Sequence, residues 1–181
     1  MSHPPDPEAI AAAEHQIPAL KEADYEPQSP RNKGYNCFAW AARDSSRAWD
    51  PPGLADWTYW PDGVPTWESL ENYQRAFGTV GFVECDNGDS EQGVEKIAIF
   101  VDAEGTPLHA ARQLPNGRWT SKLGKGIDIE HDFDALEGDP MIGTLGCFMM
   151  RPSPGPPPDP PGPLLILPKD AGRLTLPDLE T

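Results

Sequence analysis

Cys37, His109 and His131 of this 181-residue sequence are of the types, and in the places, that nucleophilic catalysis could use. Asn36 is a good N-cap, and Cys37 to about Arg47 is Ala-rich and free of Gly and Pro, so a helix is predicted to start at Cys37. At a helix start the free amide protons and the dipole stabilise a thiolate, which lowers the thiol pKa and raises nucleophilicity at neutral pH. A thiolate then needs a base to hold it and to protonate the leaving group. His3 and His15 lie in a Pro-containing N-terminal region, which leaves His109 and His131. His109 falls in a predicted strand, Pro107–Leu114, where it shares a face with Ala111 and Gln113. Small Ala111 leaves room there for a ligand or a helix end. His131 lies in the alternating run Ile127–Asp132, among acidic neighbours, as the third member of the site. Each residue also has a plainer reading. Cys37 serves equally as a small buried hydrophobe, His109 as a satisfied structural histidine, and His131 as a salt-bridged surface one.

Metal chemistry finds little support. The three cysteines (Cys37, Cys85, Cys147) are odd in number and lack CxxC spacing, which argues against a disulfide framework or a structural zinc site. That usage fits a reducing compartment, so a cytoplasmic location is expected. An open zinc site built from Cys37, His109 and His131 is chemically acceptable, but no close-range ligand spacing points to it. The expectation is therefore no metal and no cofactor. Cys85 and Cys147 read as buried thiols, and Arg112 and Lys122 as members of solvated sheet faces.

Proline marks out the elements that must position these groups. Of 23 Pro, six precede Arg31, seven fall in 31–150 and ten follow Arg151. Proline lacks an amide proton and fixes its own φ, so both ends are expected to resist regular structure. Three units follow: an acidic extension over 1–30, a folded domain over 31–151 and a Pro-rich tail over 152–181 carrying Leu164–Leu167. Inside the domain, an aromatic loop (Trp49, Trp57, Tyr59, Trp60) separates the Cys37 helix from a second helix capped by Thr66. Strands are predicted at Thr79–Glu84, Lys96–Val101, Pro107–Leu114, Arg118–Leu123 and Gly143–Met150, the middle three as a meander. Helices followed by strands argue an α+β fold, N-terminal helices packed on an antiparallel sheet of about five strands. The balance of 14 Lys plus Arg against 29 Asp plus Glu, net −15, disfavours nucleic acid. No apolar run is long enough for a membrane span, and no signal peptide is expected.

Tyr35-Asn36-Cys37-Phe38-Ala39-Trp40-Ala41, then Glu95–Val101, Leu108-His109-Ala110 and Trp119–Leu123 together resemble the papain-like cysteine peptidases of the NlpC type. The resemblance spans about residues 34–123. The motifs Tyr-Asn-Cys, His-Ala-Ala-Arg-Gln and Trp-Thr-Ser-Lys-Leu-Gly are similar to those of a group of bacterial proteins. The papain-like resemblance implies a cysteine-dependent hydrolase or acyl transferase acting on a peptide, amide or thioester, with Cys37 as nucleophile and His109 as base. Tyr35, Asn36, Trp60, Lys96 and Gln113 are the expected substrate-binding or orienting residues. One departure stands out: Lys96 occupies the position where the NlpC pattern places its base histidine. A broken triad would leave the alternative, an inactive papain-like fold that binds a protein partner through the aromatic loop and the tail.

Overall fold

The computed structural model describes residues 6–53 and 58–155. Trp57 and the tail beyond Gly155, with Leu164–Leu167, lie outside the described residues. Three helices (α1 Pro7–Gln16, α2 Cys37–Ala41, α3 Leu70–Gly78) accompany seven strands: β1 Tyr25–Pro27, β2 Val83–Cys85, β3 Val94–Val101, β4 Pro107–Gln113, β5 Trp119–Lys122, β6 Asp128–His131 and β7 Thr144–Pro152. The strands form one antiparallel sheet in the order β1-β6-β5-β4-β3-β7-β2. The protein is thus a mixed fold of helices on an antiparallel sheet, with seven strands where about five were expected and short helices. β3, apolar on both faces in sequence, is central and covered on both sides.

Two cores sandwich the sheet. Odd positions of β3 and even positions of β4 (Ile97, Ile99, Ala110) meet Phe38, Trp49, Tyr73 and Phe77 from α2, the aromatic loop and α3. The opposite positions (Ala98, Phe100, Ala111) meet Ile129, Leu136 and residues of the N-terminal segment.

That segment is where sequence expectation and structure part. Residues before Arg31 were expected to resist regular structure, yet α1, a 3-10 turn at Pro18–Glu22 and β1 all form there. Pro7 and Pro18 each sit in the first turn of a helix, where the missing amide proton is not needed, and Pro27 ends an edge strand. Asp6 caps α1 by accepting from the Ala9 amide at 2.6 Å. Ala9, Ala13, Ile17 and Leu20 then bury themselves in the second core.

α2 is shorter than the predicted run to Arg47 because Arg43 takes φ 64°. The Asp44 amide donates to Ala39 O at 2.8 Å and the Arg43 amide to Trp40 O at 3.1 Å. These two bonds are a left-handed helix stop with Arg in the position glycine usually fills. α3 is capped by Ser69 rather than Thr66, so Trp67 falls outside the helix and is 65% exposed. If the N-terminal segment is part of the cooperative fold, Leu20→Ala should cost about 2–5 kcal/mol in urea unfolding. A loss near zero would show that the segment is dispensable.

Candidate functional site

α2 lies over β4 and β5, so the Cys37 side chain enters the first core beside Ala110. His109 precedes Ala110 on β4 and therefore points to the other face. There it stands opposite Phe100 in register, with ring centroids 5.9 Å apart. His131 shares that second face. The sheet runs between the sulfur and both imidazoles, so the expected Cys37–His109 pair is not formed, and the three zinc donors do not converge.

Cys37 is also sealed, with 7% of its surface exposed. Burial pushes its thiol up to about 12, and the nearby Asp50 carboxylate adds to the rise. The Ala110 amide works in the opposite direction. A helix start is worth up to about 1 kcal/mol to an anion, less than one pH unit, so desolvation outweighs it. The five-residue length of α2 weakens the dipole further.

Asn36 owes its place beside the sulfur to structure. Its Oδ1 accepts from the amides of Ala39 at 3.1 Å and Trp49 at 3.0 Å. Its Nδ2 donates to Trp49 O at 3.0 Å and Asp50 Oδ2 at 2.9 Å. No hydrogen-bonding capacity remains for a substrate. Tyr35 donates its hydroxyl to Asp128 Oδ2 at 2.8 Å, stacks on Trp40 and lies under the Lys122 ammonium, 5.1 Å from the ring centroid. Trp60 donates to Pro65 O at 3.1 Å and meets Tyr73 edge-on.

Lys96 and Gln113 lie across the sheet from Cys37. The Lys96 ammonium donates to Asn87 O and Oδ1, each at 3.1 Å, and Gln113 donates to Gly88 O at 2.7 Å. Together they pin the 86–92 loop over the second core. Gly88 fits there because a Cβ would stand 2.7 Å from the Phe148 ring.

The structure does join two of the three predicted catalytic residues, through one the sequence reading missed. Asp132 O lies 2.7 Å from His131 Nδ1. A carbonyl only accepts, so Nδ1 carries the proton and Nε2 is an acceptor. Ser121 therefore donates its hydroxyl to His131 Nε2 at 2.8 Å and accepts from His109 Nε2 at 2.9 Å. The chain His109–Ser121–His131 links β4, β5 and β6. Ser121 has no exposed surface, so the arrangement braces the sheet and offers no nucleophile. Its sequence signal was period-2 alternation: Ser121 and His131 share the Trp119–Ile129 face.

Two further carboxylates, half-buried Asp50 and buried Asp128, carried no sequence signal. Asp50 is raised to about 6 by burial, opposed by its bonds to Tyr73 and Asn36. Asp128 Oδ1 has no hydrogen-bond partner although the residue is buried. Arg112 and Lys122, expected on solvated faces, are buried as well. Lys122 donates to Gly124 O at 2.9 Å and Gly126 O at 2.6 Å, closing the β5–β6 turn. Arg112 runs under Trp40 towards Glu95. Glu95 is a hub: Arg43 Nε lies at 2.5 Å, Arg151 Nη2 at 2.8 Å and Arg112 Nη1 at 4.0 Å. Arg151 also donates to Val80 O at 3.0 Å, tying the α3–β2 turn to β7. Among the described residues, no group of three or more His, Cys, Asp or Glu side chains is placed to hold a metal ion. Nor is any described helix long and apolar enough to cross a membrane.

Fold and site together define an α+β protein whose sheet separates two sealed polar clusters, one around Tyr35, Cys37 and Asp128, the other around His109, Ser121 and His131. The family model described as Domain of unknown function (DUF7689) matches residues 26–150, and the chain belongs to that family. Comparisons with curated proteins and with solved structures each return no match.

Burial lowers His109 to about 3 and His131 to about 4; the two rings also repel each other's charge, and Arg118 opposes charging of His131. Asp132 and Glu130 favour the charged form of His131 but do not overcome burial. The unfolded chain therefore binds more protons between about pH 6.5 and 4, and this contribution to stability falls as pH drops through that window. Asp50 acts in the opposite sense, since its folded pKa is raised. Comparing the wild type with His109→Gln/His131→Asn isolates the histidines. Urea unfolding at pH 7, 6 and 5 should give a flatter profile for the variant, by at most about 1.4 kcal/mol per pH unit for each histidine. Parallel profiles would show that the histidines are not buried neutral. Separately, Glu95→Gln should destabilise by about 3–5 kcal/mol, because it leaves buried arginines without their counter-charge. The same denaturation measurement checks it.

Proposed function

We propose that this domain is a non-catalytic recognition module carried on a papain-like frame of the NlpC type, binding a protein partner. One observation carries the reading: the Cys37 sulfur is buried beneath α2 with the sheet between it and both candidate base histidines. An activated thiolate needs solvent access and a base within hydrogen-bond reach, and neither is at hand. Asn36, Tyr35, Lys96 and Gln113, the polar groups expected to meet substrate, spend their hydrogen bonds inside the chain. The aromatic loop leaves Trp67 outward while Trp49, Tyr59 and Trp60 pack on α3.

Native alkylation tests this. With iodoacetamide at neutral pH, half-buried Cys85 should react first and Cys37 only after denaturation, as read by peptide mass mapping. Native modification of Cys37 faster than Cys85 would overturn the reading.

A second reading, a cysteine-dependent hydrolase or acyl transferase acting on an amide or thioester, is favoured by one observation: Cys37 opens α2 in the first core, with the Asp50 carboxylate near enough to act on its thiol. Under it Asp50, on the sulfur's own face, replaces His109 as proton acceptor. Cys37→Ser and Asp50→Asn would then abolish turnover of a thioester, whereas His109→Gln would not.

A further inference from the structure

A cleft of about 190 Å³ opens between α1, the segment 31–33 and the β5–β6 turn. Its floor is small and apolar, formed by Ala9, Ala13 and Leu123; its rim is basic, formed by Arg31, Lys33 and Lys125. That is unusual for a chain of net charge −15, in which carboxylates outnumber cations two to one. Of the described Lys and Arg residues, only Lys21, Lys33 and Lys125 have no hydrogen-bond or ion-pair partner among the described residues. Two of those three line this cleft. Arg31 has a single long ion pair, to Asp6 at 3.9 Å.

The convergence is built by the backbone. The Asn32 amide donates to Gly126 O at 3.1 Å, which sets the segment bearing Lys33 against the turn bearing Lys125. The turn itself is held by Lys122, which donates to Gly124 O and Gly126 O, and by the Gly126 amide, which donates to Leu123 O at 2.8 Å. Asp6, 3.9 Å from Arg31, is the one carboxylate paired with this group among the described residues; Lys33 and Lys125 have none, and like charges held together in this way are costly unless an anion joins them. Two ammonium groups and a planar guanidinium suit a doubly charged oxyanion. Pockets that bury drug-sized ligands run to about 300–1,000 Å³, so a cleft of about 190 Å³ suits an oxyanion with a short carbon chain.

We propose that this cleft is a binding site for a small phosphomonoester, its phosphate held by Arg31, Lys33 and Lys125 and its carbon chain lying on the alanine face of α1. The assignment is independent of any role for Cys37.

The test measures binding to the full chain by isothermal titration at constant ionic strength. Inorganic phosphate and glycerol phosphate are the ligands, with sodium chloride as the control. Both phosphates should bind saturably to the wild type and to Lys21→Gln, whose lysine lies off the cleft. Lys33→Gln and Lys125→Gln should each weaken binding about tenfold, the loss of one charge-assisted contact, while Lys125→Arg should retain it. Circular dichroism of each variant confirms that the fold is kept, since both lysines are exposed. Equal affinity in the Lys→Gln variants, or the same heat with chloride, would reduce the effect to general screening and overturn the site. Binding of inorganic phosphate with exclusion of glycerol phosphate would overturn the phosphomonoester assignment.

Discussion

Adjacent side chains on a β-strand point to opposite faces, and in β4 that alternation governs the chemistry of the molecule. Ala110 touches the first core, where Cys37 lies; His109 and Ala111 touch the second. Because β3 pairs with β4 through Phe100–His109 and Ile99–Ala110, slipping His109 to the Cys37 face would turn every neighbouring apolar side chain the wrong way. Separation of sulfur from imidazole is thus a consequence of register, enforced by two hydrophobic cores at once.

Both faces consequently carry polar groups in low-dielectric surroundings, and each face satisfies them internally. On the first, Glu95 gathers Arg43, Arg151 and Arg112, and Asn36 joins a helix cap to the aromatic loop. On the second, Ser121 bridges two neutral imidazoles, and Lys96 and Gln113 hold the 86–92 loop. A buried polar group costs stability unless it is paired, so such networks specify one arrangement of the chain. Two buried atoms among the described residues are exceptions in having no hydrogen bond: Arg118 Nε, and Asp128 Oδ1, where Tyr35 satisfies only the other oxygen of that carboxylate.

Much of the frame was legible beforehand. The central meander follows from turn residues: Gly105 and Gly117 both take positive φ between strands predicted within two residues of their observed ends. The start of α2 follows from Asn36 as cap. Its early stop at Arg43 was not legible, because no glycine or proline marks it; the left-handed turn is adopted while the Arg43 guanidinium reaches Glu95, 52 residues away in sequence. β1 was missed because three residues bounded by proline carry no periodic signal, and it pairs only because β6 offers a free edge. Proline content argues against structure before Arg31, yet Pro7 stands where a helix tolerates it and α1 forms.

Local chemistry in the chain determined the class of fold, the cap that begins the Cys37 helix, the strand that bears His109 and the acidic surface. Those properties depend on neighbours a few residues apart: turn geometry, capping and side-chain period. Only the tertiary structure decided that Cys37 is sealed, that His109 meets Ser121 and His131 instead, and that Lys33 and Lys125 line one cleft. These outcomes depend on which strand edge meets which and on which face each helix covers. They are set by burial of the whole apolar surface, not by the identity of any one residue.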